Sequence, residues 1–127
     1  MIIDYHENRR KGKVGLRYRA KMSKHPVRVI ENNIPILYFM DGYQFAQVVG
    51  MSCPTDDPVP YFFQEGAKTT LRASNFKIIR DVLDLCIRDD APVIVKKYSF
   101  EYYVAMTPKV FEKYRPLFET DSPKKED

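Results

Sequence analysis

Between Val14 and Met22 apolar and polar residues alternate. Val14, Leu16, Tyr18, Ala20 and Met22 would fall on one side of an extended chain, and Gly15, Arg17, Arg19 and Lys21 on the other. A period of two predicts a half-buried strand with a basic outer face. Lys24-His25-Pro26 ends that run, and Val27–Glu31 and Ile34–Met40 follow as two more strands. Asn32-Asn33 lies between them, and asparagine tolerates the positive φ that a two-residue hairpin turn requires. Pro35 has no N–H for a ladder, so it is expected at an edge or at the start of its strand. Asp41 is a suitable N-cap for a short helix carrying Tyr43, Phe45, Ala46, Val48 and Val49, with Gly50 as its stop.

Pro54, Pro58 and Pro60 argue against regular structure over residues 52–60. Tyr61-Phe62-Phe63 reads as a short buried strand. Ser74 would cap the longest helix, 75–89, in which Phe76, Ile79, Leu83, Cys86 and Ile87 share one face. Val93–Val95 and Tyr98–Met106 read as strands, paired in a hairpin around Lys96-Lys97. Thr107 as N-cap and Pro108 at the first helical position open a last short helix with Val110, Phe111 and Tyr114 on its apolar edge. No internal repeat, linker or second domain is expected. The pattern predicts one α+β domain over residues 1–118: a mainly antiparallel sheet with one long and two short helices packed on one side of it. A basic arm over 6–13 and a disordered polar tail over 119–127 complete the expectation.

Composition bounds this picture without changing it. The chain has 127 residues, 44% hydrophobic and 30% charged, a balance ordinary for one globular domain. No apolar run approaches the length of a membrane span, and the N-terminus lacks the order of a signal peptide. Cys53 and Cys86 are too few for a disulfide framework or a zinc site. A cytoplasmic or nuclear, reducing location is expected. Charge does change the picture. Residues 1–28 hold nine Lys or Arg against Asp4 and Glu7, a net of +7, while the rest of the chain is net −3. A basic end suits phosphates or an acidic protein surface.

Candidate chemistry is sparse. The two histidines, His6 and His25, lie in the basic region, and neither forms a recognisable pair with Cys53. The adjacent acids Asp56-Asp57 and Asp89-Asp90 form no metal-binding constellation, and the five glycines are not spaced as a phosphate cradle. The expectation is a protein that is not an enzyme, with no catalytic residue, metal or cofactor.

Binding has more support. On a strand, Arg17, Arg19 and Lys21 would project about 7 Å apart, a spacing comparable with that of phosphates. Arg9, Arg10, Lys11 and Lys13 would add a basic arm. The bland alternative is a solvated charged face that keeps an edge strand from aggregating. Lys96–Tyr103 resembles in part the RNA-contact strand of RNA-recognition motifs: Lys96, Tyr98, Ser99, Phe100 and Tyr103 fit, while Lys97 stands for the glycine and Glu101 for the aliphatic residue. The resemblance makes Tyr98, Phe100 and Tyr103 candidate stacking residues. Gln44–Met51 resembles the first helix and turn of a helix-turn-helix. Preceded by the hairpin, it is also similar to the N-terminal domain of Bro-type viral antirepressors. That likeness implies DNA binding by a virus- or phage-encoded regulator.

These readings converge on a nucleic-acid-binding regulatory module that contacts DNA or RNA phosphates. The alternative is a small inhibitor or adaptor that docks on a larger protein. A metal-dependent enzyme is the least favoured reading.

Overall fold

A computed structural model describes residues 2–6, 15–50, 57–72, 79–98 and 100–119. Among them are six strands, β1 (Ile3–His6), β2 (Val27–Glu31), β3 (Ile34–Asp41), β4 (Thr70–Arg72), β5 (Val93–Lys97) and β6 (Glu101–Met106). Six helices accompany them: α1 (Leu16–Ser23), α2 (Gly42–Val49), α3 (Val59–Gln64), α4 (Ile79–Asp89), α5 (Pro108–Phe111) and α6 (Arg115–Glu119).

The strands form one mixed sheet in the order β1-β2-β3-β6-β5-β4. The α+β expectation holds, but three of its details do not: first, six helices are described where the pattern predicts one long and two short ones. The outer pairs β1–β2 and β4–β5 are parallel, and only the three inner pairings are antiparallel. Helices also cover both faces of the sheet rather than one. Leu16 and Ala20 of α1 and Val82, Leu83 and Cys86 of α4 pack over one face, on Val29, Phe39, Val95 and Tyr103. Phe45, Phe62, Phe111 and Phe118 of the other helices pack over the second face, on Tyr38, Met40, Ile94 and Val104. The reason is legible in the central strands: Leu37 to Met40 and Tyr102 to Met106 are all buried, so apolar side chains leave both sides of the sheet.

Two predicted strands are helices. The run 14–22 is helix α1 over its described part. Leu16 and Ala20, one turn apart, are buried, whereas Tyr18 and Met22 are exposed, so the burial period is that of a helix. Tyr61-Phe62-Phe63 belongs to α3, which begins at Val59-Pro60 after Pro58; proline is well suited to a first helical turn. The hairpin at Asn32-Asn33 is as expected, both residues having positive φ. Pro35 pairs with Ile30 on β2, beyond the part of β3 that meets β6. Ser74, the expected cap of the long helix, lies outside the described residues, as do most of the expected arm and most of the tail.

The expectation of no repeat fails: the sheet carries one in its strand order and register. Each half runs strand, helix, parallel strand, hairpin partner, helix: β1-α1-β2-β3-α2, then β4-α4-β5-β6-α5. A shift of 66 residues superposes the two in register. It carries Val27 onto Val93, and the β1–β2 pair Tyr5/Val29 onto the β4–β5 pair Leu71/Val95. The central β3–β6 ladder obeys the same rule, because Tyr38↔Met106 becomes Val104↔Met40 and Phe39↔Ala105 becomes itself. The halves are thus related by a pseudo-two-fold axis through the Phe39/Ala105 pair.

Backbone devices follow the shift. The positive-φ residues Lys24 and Asn32 map onto Asp90 and Tyr98. The N-caps Asp41, accepting from the Gln44 N–H, and Thr107, accepting from the Val110 N–H, also correspond. Pro26, Met40 and Phe45 map onto Pro92, Met106 and Phe111. The halves part at their hairpins. In the first, the register shifts after Val29, leaving a two-residue turn. In the second, it stays constant to Lys97↔Glu101, so residues 98–100 join the strands.

Candidate nucleic-acid interface

At the β5–β6 hairpin tip two aromatic side chains stand in solvent. Tyr98 is 58% and Phe100 62% exposed. Their rings stack on each other with centroids 5.9 Å apart and planes 25° from parallel. Tyr98 has φ 59°, in the left-handed region. That conformation costs an ordinary L-residue about 1–2 kcal/mol. The Lys97 ammonium lies 4.7 Å from the Tyr98 ring centroid, and Lys96 lies 5.4 Å from that of Tyr102.

The base of the tip is clamped to α1 by Glu101. Arg17 Nη1 donates to Glu101 Oε1 at 2.8 Å and Lys21 Nζ to Oε2 at 3.1 Å. The Tyr103 hydroxyl donates to Oε1 at 2.8 Å. Burial alone would raise the Glu101 pKa, but the bonds from Tyr103, Lys21 and Arg17 together hold it below the usual carboxylate range. Burial and the Glu101 carboxylate push the Tyr103 phenol up, so this tyrosine stays neutral and donating.

The expected basic stripe is therefore not assembled. Arg17 and Lys21 sit one helical turn apart on α1 and are both spent on Glu101. Arg19 lies on the same helix but takes no part in that network. Arg9, Arg10, Lys11 and Lys13 lie outside the described residues, in the connection from β1 to α1. Of the three candidate stacking residues, Tyr98 and Phe100 come together in the open. Tyr103 does not, because it pairs with Val95 in the ladder and is fully buried. Sequence reasoning missed Glu101. Its cationic partners are 80 and more residues away in the chain, so no local pattern announces the clamp. It also missed Arg72, which pairs in register with Lys96 and brings another cation to this end of the sheet.

The remaining candidate groups scatter. Asp57 accepts from the Val59 N–H at 3.0 Å at the start of α3, and Asp56 lies outside the described residues. Asp89 accepts from Thr69 Oγ1 and Arg88 Nε, while Asp90 takes Lys109 at 3.4 Å, so the adjacent acids serve different partners. Burial, then the Asp89 charge, pushes the Cys86 thiol up to about 12, which leaves it protonated and unreactive. Cys53 is outside the described residues. An open cleft of about 390 Å³ is lined by Lys68, Lys109, Lys113, Glu65, Asp90 and Tyr114, among others. Its carboxylates are partnered by Tyr114 and Lys109. Among the described residues no three His, Cys, Asp or Glu side chains group as metal ligands, and no helix is long and apolar enough to cross a membrane.

No protein-family model, curated protein or solved structure matches the chain.

Proposed function

We propose that this protein is a non-enzymatic nucleic-acid-binding regulatory module whose contact surface is the β5–β6 hairpin tip. The observation that carries the reading is Tyr98. Its equivalent in the first half, at the same positive φ, is Asn32, a residue that takes the left-handed region at little cost. A tyrosine at that position is dearer for the fold, buries little and lies beside a second exposed aromatic. Strain of this kind collects where a side chain serves something outside the fold.

Charge supports the same end of the sheet. Glu101 binds Arg17 and Lys21 and pairs with Lys97 in the ladder, Lys21 and Lys24 act on Asp41, and Arg72 pairs with Lys96. The chain as a whole is +4. Cations around exposed rings favour a polyanion with aromatic bases over a neutral apolar partner.

The test is fluorescence anisotropy with labelled DNA and RNA, each single- and double-stranded. Saturable binding weakened by Tyr98→Ala and Phe100→Ala is the expected result. Absence of binding to every polymer, with nuclease-resistant capture of one stoichiometric protein, would replace this reading with that of an adaptor or inhibitor.

A further inference from the structure

We infer that the hairpin tip takes single-stranded rather than duplex nucleic acid, gripping unpaired bases by their faces. This rests on the nucleic-acid reading above and narrows its ligand.

The argument starts from which groups are still available. A duplex hides its base faces and offers rows of phosphates, so a protein holds it chiefly with cations free to replace counterions. At the tip four of those cations are already engaged. Arg17 and Lys21 bind Glu101. Lys97 lies against the Tyr98 ring and Lys96 against Tyr102. A phosphate would compete with the Glu101 carboxylate for Arg17 and Lys21. Glu101 is only 10% exposed, so baring its charge is costly.

The Phe100 ring carries no such debt. Tyr98 and Phe100 are stacked nearly parallel and Lys97 lies over the Tyr98 ring, so the open face is that of Phe100 turned away from Tyr98. An unpaired base laid on that face continues the stack. Base–aromatic stacking tolerates any base, because every base has a π-face. The hairpin of the other half offers no such surface. At the matching positions it has Asn32 and Ile34, the latter also exposed, at 61%. The two hairpins differ in register and turn length, and only the second exposes two flat π-systems.

The test compares three probes of equal length and label on the whole chain: oligothymidylate, a duplex, and a strand of abasic sugar-phosphate units. The abasic strand keeps the charge and removes the bases. Oligothymidylate is expected to bind at least about tenfold tighter than either of the others. Tyr98→Leu with Phe100→Leu, which keeps apolar bulk but removes the rings, should cost about tenfold or more, and Tyr98→Phe should retain binding. Unchanged thermal unfolding of these exposed-site variants would show that they fold. Duplex bound as tightly as oligothymidylate would overturn the single-strand inference and leave the nucleic-acid reading standing. Equal binding of the abasic strand, or no loss in the leucine variant, would overturn base stacking at this tip. No binding to any probe would overturn both.

Discussion

The two halves of the sheet share a backbone plan and differ in what they do with their hairpins. In the first half, Asn32 and Asn33 turn the chain with residues chosen for the turn itself. In the second, Tyr98 occupies the same left-handed position and its side chain is spent in solvent. Behind the tips the halves agree again: matching prolines precede β2 and β5, matching caps open α2 and α5, and matching phenylalanines enter the core. Where a repeated plan is kept, the fold needs it. Where one copy departs at a cost in local stability, a demand from outside the fold is the economical explanation.

The strongest challenge to that comparison is to remove the matched anchors. Phe45 and Phe111 are both fully buried on the same face, so Phe45→Ala and Phe111→Ala should each cost about 3–5 kcal/mol in urea unfolding. A cost near zero for either would mean that the halves are not packed alike. Gly42 sharpens the comparison, since its equivalent is Pro108. A Cβ at Gly42 would lie 2.9 Å from the Tyr102 carbonyl oxygen. Gly42→Ala should therefore destabilise by about 1–3 kcal/mol, although the other half accepts a ring at the matching place.

Glu101 has no counterpart clamp, because Pro35 stands at the matching position. Glu101→Gln should cost about 1–2 kcal/mol at neutral pH, the partly exposed cations limiting the loss. The folded pKa of Glu101 lies below its usual 4.5. Its contribution is therefore complete above that value and is lost as pH falls through the folded pKa. Unfolding curves of wild type and Glu101→Gln should converge on acidification below about pH 4; a constant gap would remove Glu101 from the account. The smallest effect is the most telling. Tyr98→Asn should stabilise the protein by roughly 0.5–1 kcal/mol while weakening oligonucleotide binding. Stabilisation without loss of binding would detach the strained tyrosine from function.

What could be read beforehand was local. The Asn32-Asn33 turn, the Asp41 and Thr107 caps and the Gly50 stop depend on a few neighbouring residues, and each is where the pattern placed it. The strand expected over 14–22 failed because alternation over so few residues also contains the helical pairs Leu16/Ala20 and Tyr18/Met22. The two periods share positions, and only the sheet beneath decides between them. The repeat was invisible because it lives in backbone conformation: Lys24 and Asp90, or Asn32 and Tyr98, have little in common except φ. Of the site, Tyr98 and Phe100 come forward through a resemblance and on a strand 98–106 turning at Lys96-Lys97, whereas β5 runs on to Lys97, β6 begins at Glu101, and both rings lie in the connection between them. Tyr103 could not be excluded without knowing which face of β6 meets α1 and α4. The Glu101 clamp joins residues that only the fold brings together.

The axis between the halves passes through Phe39 and Ala105, which face each other across the central ladder. Two identical chains meeting on such an axis would place the same residue opposite itself, two large rings or two methyl groups. One continuous chain is released from that rule, and here a ring opposes a methyl. The large side chain of one half occupies the room left by the small one of the other. The consequence is a lock-and-key division of labour at the symmetry centre. Two copies of either half alone would meet there with too much volume or too little.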